Sequence, residues 1–285
     1  MKPPLISLIL ATVGRTAELD RLFTSLAAQT FRDFEIVMVD QNADDRLLSH
    51  LGRARAQGLE IRHVRHHPPN LAAARNAGIQ TAQGILVGFP DDDCWYDAHA
   101  LEHLARRFQA PDKPAGIILR WVEQDEQPLR PAILSWERAR AFRDVAVSSI
   151  TLFCERSLFQ KVGNFDDRFG VGQWYGAGEE TDFVLRALRA NELFAYEPEA
   201  EVHHAAGPEI LRADRQARLA VRRRARGTGA LYAKHRLPRW IIVRGLVAPL
   251  LRPLLKGSFG SELRLGYATA LGRLDGLLRW RRTQS

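Results

Sequence analysis

The chain has 285 residues, 46% apolar and 26% charged, a globular composition that supports a sizeable core and excludes wholesale disorder. Its two cysteines, Cys94 and Cys154, exclude a disulfide scaffold and a cysteine-built zinc site. The net charge of +8 hides an asymmetry: residues 1–210 hold 23 Lys/Arg against 30 Asp/Glu, and residues 211–285 hold 18 against 3, so an acidic body that excludes nucleic-acid binding over its whole surface carries a basic tail.

The opening MKPPLISLIL lacks a signal-peptide cleavage pattern, and no run of 18 or more uncharged apolar residues offers a conventional membrane span. Residues 4–12 are instead a near-continuous apolar run, which fits a strand buried on both faces. Thr16 suits a helix N-cap, with Glu18 and Asp20 in the first turn and Leu19, Leu22, Phe23 and Leu26 as the buried stripe. Strands are predicted over 35–40, 61–66 and 84–90, and a helix over 71–82. Asp97 is expected to cap a helix carrying Leu101, Leu104 and Phe108. Such alternation predicts stacked βαβ units, whose ligands bind beyond the carboxyl ends of the strands.

The middle is less regular. Residues 115–122 and 145–153 read as strands, and the glycine-rich 163–178 as a loop. A helix is predicted from Glu179, with Phe183, Leu185 and Leu188 inward, and a strand or hairpin over 194–204. From Leu211 the character changes to Arg-rich helix, which puts a domain boundary near residue 210. The expected division is a catalytic domain over 1–210 and a basic amphipathic helical tail over 211–285.

Three adjacent carboxylates, Asp91, Asp92 and Asp93, follow the strand GILVGFP. They repel one another unless solvated or offset by a cation. Two readings stand: a site for Mg²⁺ or Mn²⁺, or a solvated turn before the next helix. Asp40 ends the strand EIVMVD, and is either a hydrogen-bond acceptor for a ribose or base, or a turn former with Asn42, Asp44 and Asp45. Glu179, Glu180 and Asp182 are either first-turn acids favoured by the helix dipole or a general base with its neighbours. His203 and His204 read equally as a metal ligand or as structural histidines. Cys94 has no activating neighbour and reads as a core residue.

The ordered segments SLILATVGR, LDRLFTSLAAQTF, FEIVMVDQN, NLAAARNAGIQTAQG, GFPDDD and GEETDFVLR resemble the family-2 glycosyltransferases, over roughly residues 5–205. The resemblance implies a GT-A fold: an α/β, Rossmann-like, mostly parallel sheet flanked by helices, here with a C-terminal basic helical appendage. It implies a transferase of the hexosyltransferase class working in polysaccharide assembly. Ala11, Thr12 and Arg15 match the loop that holds base and phosphates, and Asp40 the acid that reads base or ribose. Arg75 and Asn76 match the RN pair beside the nucleotide. Asp91, Asp92 and Asp93 match the DXD motif, with Asp93 and Asp91 toward the metal, Mg²⁺ or Mn²⁺, and His204 as the late histidine facing metal or diphosphate. Glu179-Glu180 matches the family's acidic pair and makes Glu180 the catalytic base; Arg186 matches an arginine further along that helix. The loop TVGR and the turn DQNADD depart from the family's commoner sequences where base and ribose bind.

The implied reaction is inverting transfer from a nucleoside-diphosphate sugar, by default a UDP-sugar, to a glycan or polyprenyl-linked acceptor. Trp174 and Tyr175 in the glycine-rich loop either stack on a sugar or pack beneath the loop. In the tail, Arg212 to Arg226 is strongly basic, and 240–255 is apolar but interrupted by Arg244, Pro249, Arg252 and Pro253. That pattern is a poor spanning helix and fits an interfacial segment on an anionic membrane, or helices packed on the body. The expected location is cytoplasmic, peripheral on the inner face of the membrane. Two other readings are a nucleotidyltransferase, for which TVGR is a poor phosphate loop, and a non-catalytic membrane-surface module that needs none of Asp91, Asp93 or Glu180.

Overall fold

A computed structural model describes residues 2–124, 128–144, 146–204, 215–255, 257 and 260–283. The chain divides into two compact units: Met1–Phe165 with Phe183–Ala205, and Asp166–Asp182 with Ala206–Ser285. The boundary expected near residue 210 lies outside the described residues.

In the first unit the chain runs β1 (Ile6–Thr12), α1 (Ala17–Ala27), β2 (Phe34–Asp40), α2 (Leu48–Ala56), β3 (Ile61–Arg65), α3 (Leu71–Thr81), β4 (Leu86–Gly88) and β5 (Cys94–Tyr96). It continues through α4 (Ala100–Gln109), β6 (Gly116–Trp121), β7 (Ala132–Ile133), α5 (Trp136–Ala139), β8 (Leu152–Glu155) and α6 (Leu158–Val162). α7 (Glu179–Arg189) leads into β9 (Phe194–His204). The strands form one sheet in the order β3-β2-β1-β4-β8-β6-β9-β5, with β7 paired to β9. Its β3-β2-β1-β4 half is parallel, and β8 enters antiparallel between β4 and β6. The α/β fold class is as expected.

Every residue of β1 and β2 is buried, as apolar runs covered by helices on both faces require. Leu19, Leu22, Phe23 and Leu26 of α1 are buried as the i, i+3, i+4, i+7 pattern predicts. α3 lies close on β1 because Gly78 has no side chain; a Cβ there would strike Ile9. Asn70 caps α3, its side chain accepting from the Ala73 N–H.

Several local expectations differ from the structure. Thr16 precedes α1 but makes no side-chain cap. α4 is preceded by His99 rather than capped by Asp97, whose backbone carbonyl accepts from the Ala100 N–H at 3.0 Å. Within the strand expected over 145–153, residues Ser149–Thr151 form a 3₁₀ turn, because Ser148 and Thr151 cap one another across it; residue 145 is outside the described residues. The expected strand survives only as β8.

The second unit holds the 166–182 loop and three helices, α8 (Arg215–Lys234), α9 (Arg239–Leu255) and α10 (Ser261–Arg282). α9 runs through Pro249 and Pro253, which the sequence suggested would interrupt it. A proline lacks the N–H that would bond the carbonyl four residues back. Arg273 of α10 supplies the replacement for Pro249, donating to the Gly245 carbonyl at 2.6 Å. Gly266 of α10 faces the Pro249 carbonyl that Pro253 leaves free, where a Cβ would clash. None of the helices in the described residues is long and apolar enough to cross a membrane.

Candidate active site

The site of the first unit is built where the parallel strands end. The in-register pairing of Thr12 with Asp40 and of β1 with β4 brings three strand ends together, and the chain turns there through Asp91, Asp92 and Asp93 into β5. Antiparallel pairing of Cys94 with His204 then returns the end of β9 beside the same turn. A histidine more than a hundred residues away thereby reaches Asp93: His204 Nε2 lies 2.9 Å from Asp93 Oδ1.

Each carboxylate has its own surroundings. Asp91 accepts from Arg75 at 2.9 Å and from the Ser149 hydroxyl at 3.3 Å. Arg75 is 1% exposed, so α3 delivers a buried positive charge to the acidic turn. Asp92 accepts from the Thr12 hydroxyl at 2.6 Å and from Arg15 at 2.8 Å. Burial raises its pKa, opposed by Thr12 and Arg15. Asp93 meets both His204 and Arg15. Burial acts upward on Asp93 too, but His204 and Arg15 outweigh it and hold the carboxyl at about 2. Trp121 packs near His204, with ring centroids 5.4 Å apart.

Ligand atoms of Asp91, Asp93 and His204 all lie within 4.8 Å of one another. Two carboxylates and an imidazole are oxygen-rich donors with one borderline nitrogen, a set suited to Mg²⁺ or Mn²⁺. The residues present therefore fit the expected cation. Ala11 and Thr12 end β1, both buried, and Arg15 is half-exposed above the carboxylates it pairs with.

Other expected residues are placed differently. Asp40 is fully buried: Oδ1 accepts from the backbone and side-chain nitrogens of Asn42, each at 2.8 Å, and Oδ2 lies 2.9 Å from His63 Nε2. Its carboxylate organises the turn after β2. Asn76, expected beside the nucleotide, uses its amide on backbone, donating to the Phe165 carbonyl at 2.9 Å and accepting from the Phe165 N–H at 3.1 Å. Arg186 gathers the carbonyls of Val162, Gly163 and Asn164.

The acidic pair opens α7, whose first turn, through Asp182, falls in the second unit. Glu179 is 3% exposed and Asp182 fully buried, whereas Glu180 is only partly buried. Asp182 meets Lys234 Nζ at 2.8 Å and His235 Nε2 at 2.9 Å, both from α8. Its carboxylate is thus engaged by α8 within the second unit. Tyr175 is buried against Phe169 and Trp280, and Trp174 lies between the guanidiniums of Arg226 and Arg279 at 4.4 and 4.3 Å. Tyr175 is thus packed, and Trp174 is partly exposed between the two guanidiniums.

His63 and Ser149 escaped sequence reasoning. The β2–β3 register pairs Met38 with His63 and puts the ring within reach of Asp40. A histidine in the otherwise half-buried strand IRHVR, beside a strand ending in Asp, was the available signal. Ser149 carried none, because its place depends on the 3₁₀ turn.

Residues 7–159, just over half of the chain, match the family described as glycosyl transferase family 2. A "PGL/p-HBAD biosynthesis glycosyltransferase" of Mycobacterium bovis is 28% identical over 175 residues, 60% of this chain and 67% of that protein. Among solved structures, S. aureus TarS in complex with UDP-GlcNAc is similar with a TM-score of 0.58 at 14% identity, covering 95% of this chain and 91% of that one. The mannosyltransferase PcManGT of Pyrobaculum calidifontis, in complex with GDP-Man and Mn²⁺, is similar with a TM-score of 0.69 at 13% identity, covering 99% and 88%. At such identities the structural likeness speaks for the fold, and the matched residues speak for the family: this chain is an enzyme of glycosyl transferase family 2 with the GT-A fold.

Proposed function

We propose that the enzyme moves a sugar from a nucleoside-diphosphate donor to a hydroxyl of a glycan or lipid-linked acceptor, with inversion at the anomeric carbon and with Mg²⁺ or Mn²⁺ as cofactor. The observation that carries this reading is the convergence of Asp91, Asp93 and His204 at the carboxyl end of β4. A cation held by these three residues, when bound, offsets charge on the diphosphate leaving group. Arg15, half-exposed above Asp92 and Asp93, adds fixed positive charge for the phosphates. Asp92, tied to Thr12 and Arg15, positions that arginine. Arg75, paired with Asp91 at 2.9 Å, holds that carboxylate in place.

Glu180 is the base of the proposal. It takes the proton from the acceptor hydroxyl as that oxygen attacks the anomeric carbon and the bond to the diphosphate oxygen breaks on the opposite face. Among the three acids at the start of α7 it is the one with solvent access, since Glu179 and Asp182 are buried, which favours it over both. A UDP-sugar is the first donor to examine, given the UDP-GlcNAc bound by TarS, with the GDP-sugar bound by PcManGT next. The net charge of the tail suits an anionic inner membrane surface.

Release of nucleoside diphosphate from UDP-, GDP- and dTDP-sugars, with Mn²⁺ and a hydroxyl acceptor, tests the reading. Glu180→Gln is expected to lower kcat by about 10²–10⁴-fold and to leave the donor KM near that of the wild type. Wild-type turnover in Glu180→Gln contradicts the assignment of the base.

A further inference from the structure

The second unit contains a groove of about 530 Å³ that plays no part in the reaction just described. Its wall is almost wholly apolar, made by Leu219 of α8, Leu250 of α9, and Leu263 and Leu271 of α10. Four arginines ring it: Arg215, Arg218 and Arg222, spaced i, i+3, i+7 along one side of α8, and Arg264 across on α10. Arg222 pairs with Asp275 at 2.8 Å. Among the described residues Arg215, Arg218 and Arg264 have no acidic partner.

A second feature lies on the helix that supplies Leu250. Trp240, Val243, Val247, Leu251 and Leu254 follow one another at spacings of three and four along α9, so they share one face. They are between 40% and 58% exposed. A stripe of this length left in water is an unusual expense for a helix, and a tryptophan at its end suits the boundary between water and hydrocarbon. Arg244 and Arg252 lie on the same helix, with stems long enough to reach phosphate while the stripe sinks.

We propose that this surface docks the enzyme on an anionic phospholipid bilayer. The α9 stripe enters the interface, and one phospholipid places a hydrocarbon chain in the groove with its phosphate among Arg215, Arg218 and Arg264. Charge complementarity selects this occupant. Residues 211–285 carry 18 basic against 3 acidic side chains, so the same face of a second copy is repelled. A nucleic acid matches the charge but leaves the apolar wall and the stripe in water. An anionic lipid satisfies both. The proposal is independent of the transfer reaction.

Flotation of the full chain with vesicles tests it. The wild type is expected to float with phosphatidylglycerol–phosphatidylcholine vesicles, to stay down with phosphatidylcholine alone, and to detach as salt rises. The triple variant Arg215→Glu, Arg218→Glu, Arg264→Glu is expected to lose about 100-fold or more in partitioning, since each basic residue contributes roughly fivefold near such a surface. Val247→Ser with Leu251→Ser, both exposed positions, is expected to weaken the binding that remains at high salt. Matching thermal unfolding confirms that the variants fold, and nucleoside-diphosphate release from soluble donors, measured in parallel, separates failure here from failure of the transferase reading. Equal flotation with neutral vesicles, wild-type flotation of the triple variant, or no flotation of the folded wild type overturns the proposal. So does binding that requires added polyprenyl phosphate, or a dimer that forms without lipid and protects the stripe.

Discussion

The carboxyl group of Asp93 faces two positive partners, His204 at 2.9 Å and the guanidinium of Arg15. Together they overcome the upward push of burial. Asp93 is therefore ionised at neutral pH, as a ligand for a hard cation must be. Asp40 shows the opposite economy, since its oxygens are fully enclosed by Asn42 and His63. Replacing His63 by Ala leaves a buried carboxylate oxygen without its donor, and a loss of about 1–3 kcal/mol is expected in denaturant unfolding. An unchanged midpoint contradicts that role for His63. The three aspartates stood out in the sequence because acids after an apolar run mark a strand's carboxyl end, whereas His204 was singled out only by the family resemblance. The protein contacts of Asn76 and Asp182 were not legible for a common reason. A polar side chain on a helix looks the same in sequence whether it faces a ligand or a neighbouring backbone, and only the packing of Phe165 and of α8 decides.

Helices α8 and α10 show what sequence periodicity misses. Gly229, Gly272 and Gly276 are placed so that a Cβ would clash with a facing backbone carbonyl, of Arg273, Arg222 and Arg226 respectively. Spaced glycines let two helix backbones approach closely, a signal that a count of apolar residues ignores. Gly276→Val is expected to cost about 1–3 kcal/mol or more, read as an earlier unfolding transition of the second unit; an unchanged transition contradicts close backbone packing. The same unit is held by Lys234, which meets Asp166 at 2.7 Å and Asp182 at 2.8 Å. Burial pushes the Asp166 carboxyl up, but Arg168 and Lys234 hold it well below the usual carboxylate range. Because its folded value lies below the unfolded one of about 3.9, this carboxylate stabilises the fold above that pH and loses the contribution as pH falls toward the folded value. Asp166→Asn is therefore expected to lower Tm equally at pH 6 and 8, with the gap to wild type closing below about pH 4. A gap that persists undiminished in acid contradicts the ion-pair account.

The strands of the parallel half and the helices between them were legible because burial on both faces leaves an unmistakable apolar run, as in ISLILAT and FEIVMVD. The division of labour along the chain was less so. Composition marks the tail as distinct, yet the segment Asp166–Asp182 belongs with it, since Phe169 and Tyr175 pack on Trp280 and Gly176 hydrogen-bonds to Arg223. No local pattern in a glycine-rich loop announces which distant helix will cover it. The central claim concerns the first unit: that the acidic turn after β4 binds a nucleoside diphosphate through a divalent cation. Thermal unfolding with UDP, GDP, dTDP and CMP, each with and without Mn²⁺, on wild type and Asp93→Ala, tests it most directly. The account predicts that one nucleoside diphosphate raises Tm only when Mn²⁺ is present, and that Asp93→Ala abolishes the shift. A shift that is independent of Mn²⁺, or that survives in Asp93→Ala, contradicts it.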